Sequence, residues 1–223
     1  MNTSGANELP AVQQALARLN ALLPLAQRQA SLSPALRALH REILRSFVSQ
    51  GRPLDYAQMA ALAGDDLAAA LQQLADDDLV VLAPDRRTLT GAYPFTTEPR
   101  VHRVTVNGHP LHAMCALDAL SVAPMFDLAT QVQSCCQVQE KPVDIRMQGS
   151  TLITASPGHP QVGIRWQSTS GCAAQSLCLD MIFLYDAATA ASWQAQDCEN
   201  RDLFALPEAV AFGAAFFRPL LTQ

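Results

Sequence analysis

The chain has 223 residues, of which 49% are hydrophobic and 16% are charged. This composition excludes a disordered chain and predicts one or two compact domains. The formal net charge of −5 argues against a general binder of nucleic acid or of anionic membranes, because phosphate binding needs a basic surface.

No apolar run approaches the roughly 20 residues that a membrane helix needs, and Met1–Gly5 lacks the basic start of a secretory signal. We therefore expect a cytoplasmic protein with no membrane partner. The six cysteines are too few for a disulfide scaffold in a chain of this length. In a reducing compartment they serve as buried apolar residues, metal ligands or nucleophiles.

The N-terminal third of the chain is predicted to be helical. An amphipathic helix over Pro10–Leu23 is broken at Pro24. The next helix has Ser33 as its N-cap and Pro34 at its first position, where the missing N–H costs nothing. Gly51 is expected to end that helix, since glycine adopts the left-handed conformation of a C-terminal cap.

Two shorter helices and a hairpin are expected next. Asp55 caps the first of these helices and Gly64 ends it, and Asp65 or Asp66 caps the second. The hairpin strands are predicted at Leu79–Leu82 and Thr88–Thr90.

This order of helices and hairpin is typical of a winged-helix unit, whose DNA-reading versions use a basic or polar recognition helix. The corresponding segment here, residues 65–78, contains five aspartates and no lysine or arginine. We therefore predict a structural winged-helix-like domain over residues 1–92 that has no nucleic-acid partner.

Residues 93–223 are predicted to form a second domain of the α+β class, with a mostly antiparallel sheet and flanking helices. Asn107-Gly108 is a strong type I′ hairpin signal, and a helix is expected from Cys115 to about Ala123, stopped by Pro124. The other expected strands are His109–Ala113, Gln131–Cys135, Val143–Met147, Thr151–Thr154, Val162–Trp166 and a central buried Leu177–Tyr185, with closing helices at Thr189–Gln196 and Pro207–Phe217.

Cys115 and Asp118 are the first candidates for chemistry. If a helix begins at Cys115, the two side chains share a face at about 5–6 Å between their Cβ atoms. The helix N-terminus is also expected to lower the pKa of the thiol. A buried cysteine beside a capping aspartate is the structural alternative.

The remaining cysteines are less informative on their own. Cys178, 63 positions after Cys115, matters only if the fold brings the two thiols together. Cys135 and Cys136 are expected to point to opposite faces of a strand, one into the core and one to solvent. Cys172 is expected to be a mobile loop thiol, and Cys198 lies near a predicted helix end. His112 could act as a base for Cys115 or be an ordinary strand histidine.

Several segments together resemble the organomercurial (alkylmercury) lyase family, from about residue 35 to 220. The segment His112–Leu120, which contains Cys-Ala-Leu-Asp, resembles the family's first cysteine motif, and Gln175–Cys178 resembles the segment of its second essential cysteine. Cys136 corresponds to a further cysteine that is frequent in the family. The other segments that resemble the family are Gly51–Pro53, Ser134–Cys136 with Lys141–Val143, Trp193, and Glu208–Gly213. The sequence departs from the family at Met114, where an aromatic residue is common, and at Asp180 and Met181.

The resemblance implies a mechanism. Cys115 and Cys178 would bind the mercury of R–Hg⁺ as thiolates, and Asp118 would pass a proton to the departing carbon, giving R–H and Hg(II). It also implies no organic cofactor, and transfer of the Hg(II) product to cellular thiols or to a mercuric reductase.

Two other functions remain open at this point. A non-catalytic relative would bind a soft metal, Hg(II) or Cu(I), through the same cysteines. A metal-responsive winged-helix regulator would need a basic recognition helix, which residues 65–78 do not provide.

Overall fold

The computed structural model describes residues 9–63, 66–168 and 171–222. Among these residues, no helix combines the length and the apolar character that crossing a membrane would require. Helices and antiparallel strands are mixed throughout, which confirms the α+β prediction.

Five helices occupy the N-terminal part of the described chain. Their bounds are Pro10–Leu22 (α1), Leu25–Ser31 (α2), Pro34–Gln50 (α3), Tyr56–Ala63 (α4) and Leu67–Asp76 (α5). The helix α2 was not predicted, because its N-cap residue is Pro24, which makes no side-chain capping hydrogen bond.

The predicted helix caps can be compared with the structure directly. Ser33 Oγ accepts from the amide of Leu36, and Gly51 ends α3 with a φ of 72°. Asp55 accepts from the amide of Gln58 ahead of α4, and Asp66 caps α5 by accepting from the amide of Ala69. The alternative cap Asp65 and the predicted stop Gly64 lie outside the described residues.

One antiparallel sheet, formed by strands between residues 81 and 156, has the order β1-β2-β3-β5-β4-β6-β7-β8. Its strands are Val81–Leu82 (β1), Leu89–Ala92 (β2), Phe95–Thr96 (β3), Arg103–Val106 (β4), His109–Ala113 (β5), Ala129–Cys135 (β6), Pro142–Gln148 (β7) and Thr151–Ser156 (β8). The β4–β5 turn has φ of 50° at Asn107 and 78° at Gly108, as a type I′ turn requires. Pairing of Gly91 with Thr96 carries this sheet across the predicted boundary at residue 92, and the division into two domains stays a prediction.

A second antiparallel sheet has the order β10-β9-β11, formed by Gln161–Arg165 (β9), Met181–Leu184 (β10) and Arg201–Ala205 (β11). The prediction of one central strand over Leu177–Tyr185 is wrong. Leu177–Asp180 forms a 3₁₀ turn, and β10 lies at an edge of its sheet, with β9 in the centre. All four β10 residues are buried, and the Phe183 carbonyl on this edge strand accepts a hydrogen bond from the amide of Gln137. The apolar run therefore indicates burial and not a central position in the sheet.

The helix Ala116–Phe126 (α6) is buried along almost its whole length. The predicted stop at Pro124 is wrong, because this proline lies in the last turn and the helix ends only at Asp127, which is left-handed with a φ of 55°. The closing helices are Ala187–Gln194 (α7), Leu206–Phe217 (α8) and Pro219–Thr222 (α9). Gly213 of α8 approaches α6 so closely that an added Cβ would lie 3.1 Å from the Cβ of Ser121. This packing places the N-terminus of α6 deep in the protein.

Candidate active site

Cys115 lies between β5 and α6 and is the N-cap residue of the helix. Its Sγ accepts a hydrogen bond from the amide of Asp118 at 3.2 Å. A sulfur therefore occupies the position that a serine or aspartate oxygen fills at an ordinary N-cap. The spacing of three residues places the thiol and the carboxyl group on one side of the first helical turn, as the sequence predicted.

Cys178 reaches the same place from the 3₁₀ turn Leu177–Asp180, which leads into β10. The sulfurs of Cys115 and Cys178 and a carboxylate oxygen of Asp118 all lie within 4.8 Å of one another. All three residues are buried. The fold thus brings together two cysteines that are 63 positions apart in the sequence, and the short turn, not a strand, aims the second thiol.

The carboxyl group of Asp118 is in an apolar environment. Its Oδ2 has no hydrogen-bond partner among the residues that the structure describes. Burial raises the pKa of Asp118 from 3.8 to about 7, although contacts with the thiols of Cys115 and Cys178 act in the opposite direction. Because a buried charge is costly, the carboxyl group can hold a proton near neutral pH.

The two thiols are also shifted towards their protonated forms. Burial raises the pKa of Cys115 well above its ordinary value, and contacts with Cys178 and Asp118 add to this. A hydrogen bond with Cys115 lowers the pKa of Cys178, but burial and the charge of Asp118 raise it by more. The expectation of a lowered pKa for Cys115 is therefore wrong for the free protein, because burial disfavours the charged thiolate. A metal that binds here must displace protons.

Tyr93 anchors the segment that leads to Cys178, a role that sequence reasoning missed. Its hydroxyl donates to Asp78 Oδ1 at 3.1 Å and accepts from the amide of Ala174 at 2.9 Å. Asp78 Oδ2 accepts from the amide of Ala173 at 3.1 Å. These bonds tie residues 173–174 to the turn after α5.

The other cysteines lie outside the Cys115, Asp118 and Cys178 group. Cys136 is buried and Cys135 is partly exposed, as expected for neighbours on opposite faces of a strand. Cys172 is half-buried, with its sulfur 3.5 Å from the hydroxyl of Tyr93, and lines a surface cleft of about 540 Å³. Cys198 is exposed.

His112 is not part of the group either. Its Nδ1 lies 3.0 Å from the amide of Arg100, from which it accepts a hydrogen bond. The side chain is thus engaged with the backbone of a neighbouring segment, which fits the expectation of an ordinary strand histidine.

Comparison with known proteins identifies the family of the chain. The family model for alkylmercury lyase (MerB) matches residues 95–218, a range that includes Cys115, Asp118 and Cys178. The chain belongs to the alkylmercury lyase family. The predicted family is thereby confirmed, and with it the enzyme class, a lyase that cleaves carbon–mercury bonds.

Curated relatives support this assignment, and a solved structure shares the fold. The alkylmercury lyase of Staphylococcus epidermidis is 25% identical over 162 residues, which cover 73% of this chain and 74% of that enzyme. The alkylmercury lyase of Bacillus cereus is 23% identical over 99 residues, covering 44% of this chain and 45% of the relative. The crystal structure of the mercury-bound form of MerB2 superposes with a TM-score of 0.75 at 16% identity, covering 90% of this chain and 98% of that one, and shows that the fold is shared.

Proposed function

We propose that this lyase cleaves the carbon–mercury bond of R–Hg⁺ by protonolysis, giving R–H and Hg(II), with Cys115, Cys178 and Asp118 as its catalytic residues. The observation that carries the proposal is the buried convergence of two thiols and one proton-holding carboxyl group within 4.8 Å. Mercury is a soft metal that prefers thiolate ligands. Breaking its bond to carbon also requires a proton, which the carboxyl group can deliver.

The first steps exchange protons for mercury. One thiol loses its proton, either to solvent or to a thiolate that leaves the mercury of the substrate, and its sulfur binds R–Hg⁺. The second thiol passes its proton to the Asp118 carboxylate and binds the same mercury as a thiolate. Because the sulfurs of Cys115 and Cys178 lie within 4.8 Å of each other, the second sulfur is already in place when the first has bound.

The last step transfers the proton to carbon. Asp118 gives its proton to the carbon as the carbon–mercury bond breaks, and the bonding electron pair stays with the carbon. R–H leaves, Hg(II) remains between the sulfurs of Cys115 and Cys178, and Asp118 is again a carboxylate. A pKa of about 7 suits a group that must both accept and donate a proton near neutral pH.

This scheme uses no organic cofactor, and it requires an acceptor for the product. Cellular thiols or a mercuric reductase would remove Hg(II) from the two cysteines by ligand exchange. A reducing compartment such as the cytoplasm would keep both thiols free. We also propose that residues 1–92 form a winged-helix-like domain that supports the catalytic domain of residues 93–223 and binds no nucleic acid.

The test is product formation from phenylmercury. Purified protein is incubated with phenylmercury acetate and excess glutathione, and benzene is measured in the headspace by gas chromatography with mass detection. We expect benzene from the wild type and from Cys198→Ala, whose cysteine is exposed and outside the site. Mercury binding without benzene formation would refute the proposed function and indicate a non-catalytic soft-metal binder.

A further inference from the structure

Met181 places a third sulfur at the candidate active site, and the proposed mechanism does not use it. The residue begins β10, three positions after Cys178, and its side chain is 3% exposed. The thiol of Cys115 donates a hydrogen bond to the thioether Sδ of Met181 at 3.7 Å. Cys115 is thus flanked by Met181 as well as by Cys178 and Asp118.

Mercury that binds the Cys115 sulfur replaces its thiol proton. The thioether sulfur of Met181 lies 3.7 Å from the Cys115 sulfur, within reach of a metal bound there. Thioether sulfur is a soft, neutral donor, and soft metals select it together with thiolates. The carboxylate of Asp118, in contrast, is a hard donor with little preference for mercury.

We propose that Met181 is a third sulfur ligand of Hg(II), completing the site formed by Cys115 and Cys178. The inference rests on the proposed function, since the ion concerned is the product of that reaction. A coordination bond forms from the thioether to mercury and no bond breaks, so the bis-thiolate complex keeps its charge. The added donor holds the product between the cysteines until an external thiol displaces it.

The direct test is X-ray absorption at the mercury edge on selenomethionine-labelled protein loaded with one equivalent of mercuric chloride. Selenium scatters more strongly than sulfur, so a labelled thioether ligand can be distinguished from the two thiolates. We expect a mercury–selenium contact in the wild type and its loss in Met181→Leu. No selenium in the coordination shell of the wild-type protein would overturn the inference.

Met114→Leu is the matched control for the label. Met114 is also 3% exposed and directly precedes Cys115, but its terminal methyl group lies against Gly91. The mercury–selenium contact should persist in this variant. Its loss in Met114→Leu and persistence in Met181→Leu would overturn the assignment to Met181.

A second measurement follows the release of the ion. Leucine has a similar volume to methionine and lacks the sulfur, so packing is largely kept. We expect Met181→Leu to give up Hg(II) at about 10-fold lower concentrations of competing glutathione, the scale on which supporting groups tune metal affinity. An unchanged competition curve would count against the third ligand.

Both measurements use inorganic mercury and do not depend on cleavage. Benzene from phenylmercury without a mercury–selenium contact would refute only the role of Met181. A mercury–selenium contact in a protein that releases no benzene would refute only the proposed function.

Discussion

Replacing Asp118 by asparagine should change how the stability of the free protein depends on pH. The pKa of Asp118 is raised from 3.8 to about 7 by burial, so the folded protein keeps a proton that the unfolded chain has already lost. The free energy of unfolding therefore falls as pH rises between these two values. Asparagine has a similar size and cannot ionise, so this contribution disappears in Asp118→Asn.

The size of the effect follows from the two pKa values. Over the whole titration, a pKa raised from 3.8 to about 7 changes the free energy of unfolding by about 4 kcal/mol, at roughly 1.4 kcal/mol per pKa unit. Part of this change lies below the convenient experimental range. Between about pH 5 and about pH 8 we expect the wild type to lose roughly 2.5 kcal/mol relative to Asp118→Asn.

The assay is urea unfolding of the metal-free proteins, followed by far-UV circular dichroism at intervals between about pH 5 and about pH 8. Asp144→Asn is the control, because Asp144 is a half-buried aspartate on β7, outside the site, that accepts from Gln131. The difference in unfolding free energy between the wild type and Asp144→Asn should not show the change with pH that is predicted for Asp118→Asn. Parallel curves for the wild type and Asp118→Asn would refute a buried, proton-holding carboxyl group.

Three further predictions concern the site and its surroundings. Cys178→Ala should lose both tight Hg(II) retention and cleavage of phenylmercury, since one thiolate cannot chelate the product. Cys198→Ala should keep both, and equal retention by the two variants would contradict this. Tyr93→Phe should lower the free energy of unfolding in urea by about 1–3 kcal/mol, because Asp78 Oδ1 and the amide of Ala174 lose their partner; an unchanged midpoint would show that water replaces the hydroxyl. The full-length protein should not bind duplex DNA at micromolar concentration, because α5 and its flanks are acidic; a salt-sensitive mobility shift would refute this.

Features set by a few neighbouring residues were predictable from the sequence. The Asn107-Gly108 turn, the Ser33 cap and the Gly51 stop each depend on local backbone chemistry, and all three occur in the structure. The Leu177–Tyr185 run was misread because an apolar pattern reports burial, and a buried 3₁₀ turn and a buried strand share it. The strand β11 was missed because Arg201–Ala205 begins with two charged residues and lacks an apolar alternation.

The site shows the same division between local and long-range information. The relation of Cys115 to Asp118 follows from helical spacing alone. That Cys178 joins them could be expected only from the resemblance to the alkylmercury lyases, because no local pattern links residues 63 positions apart. Tyr93 had no signal in the sequence, and Met181 was noted only as a departure from the family. Their contacts with Asp78 and Cys115 are created only by the tertiary structure.

The most direct test of the proposed chemistry is a single-turnover experiment on Asp118→Asn, paired with a measurement of Hg(II) retention. One equivalent of phenylmercury is added to the wild type and to the variant, and benzene is followed in time, while retention of added mercuric chloride is measured separately. We predict that the variant retains Hg(II) like the wild type but forms benzene about 10²–10⁴-fold more slowly, since it lacks the general acid. Benzene formation by Asp118→Asn at the wild-type rate would contradict the assignment of the proton to Asp118.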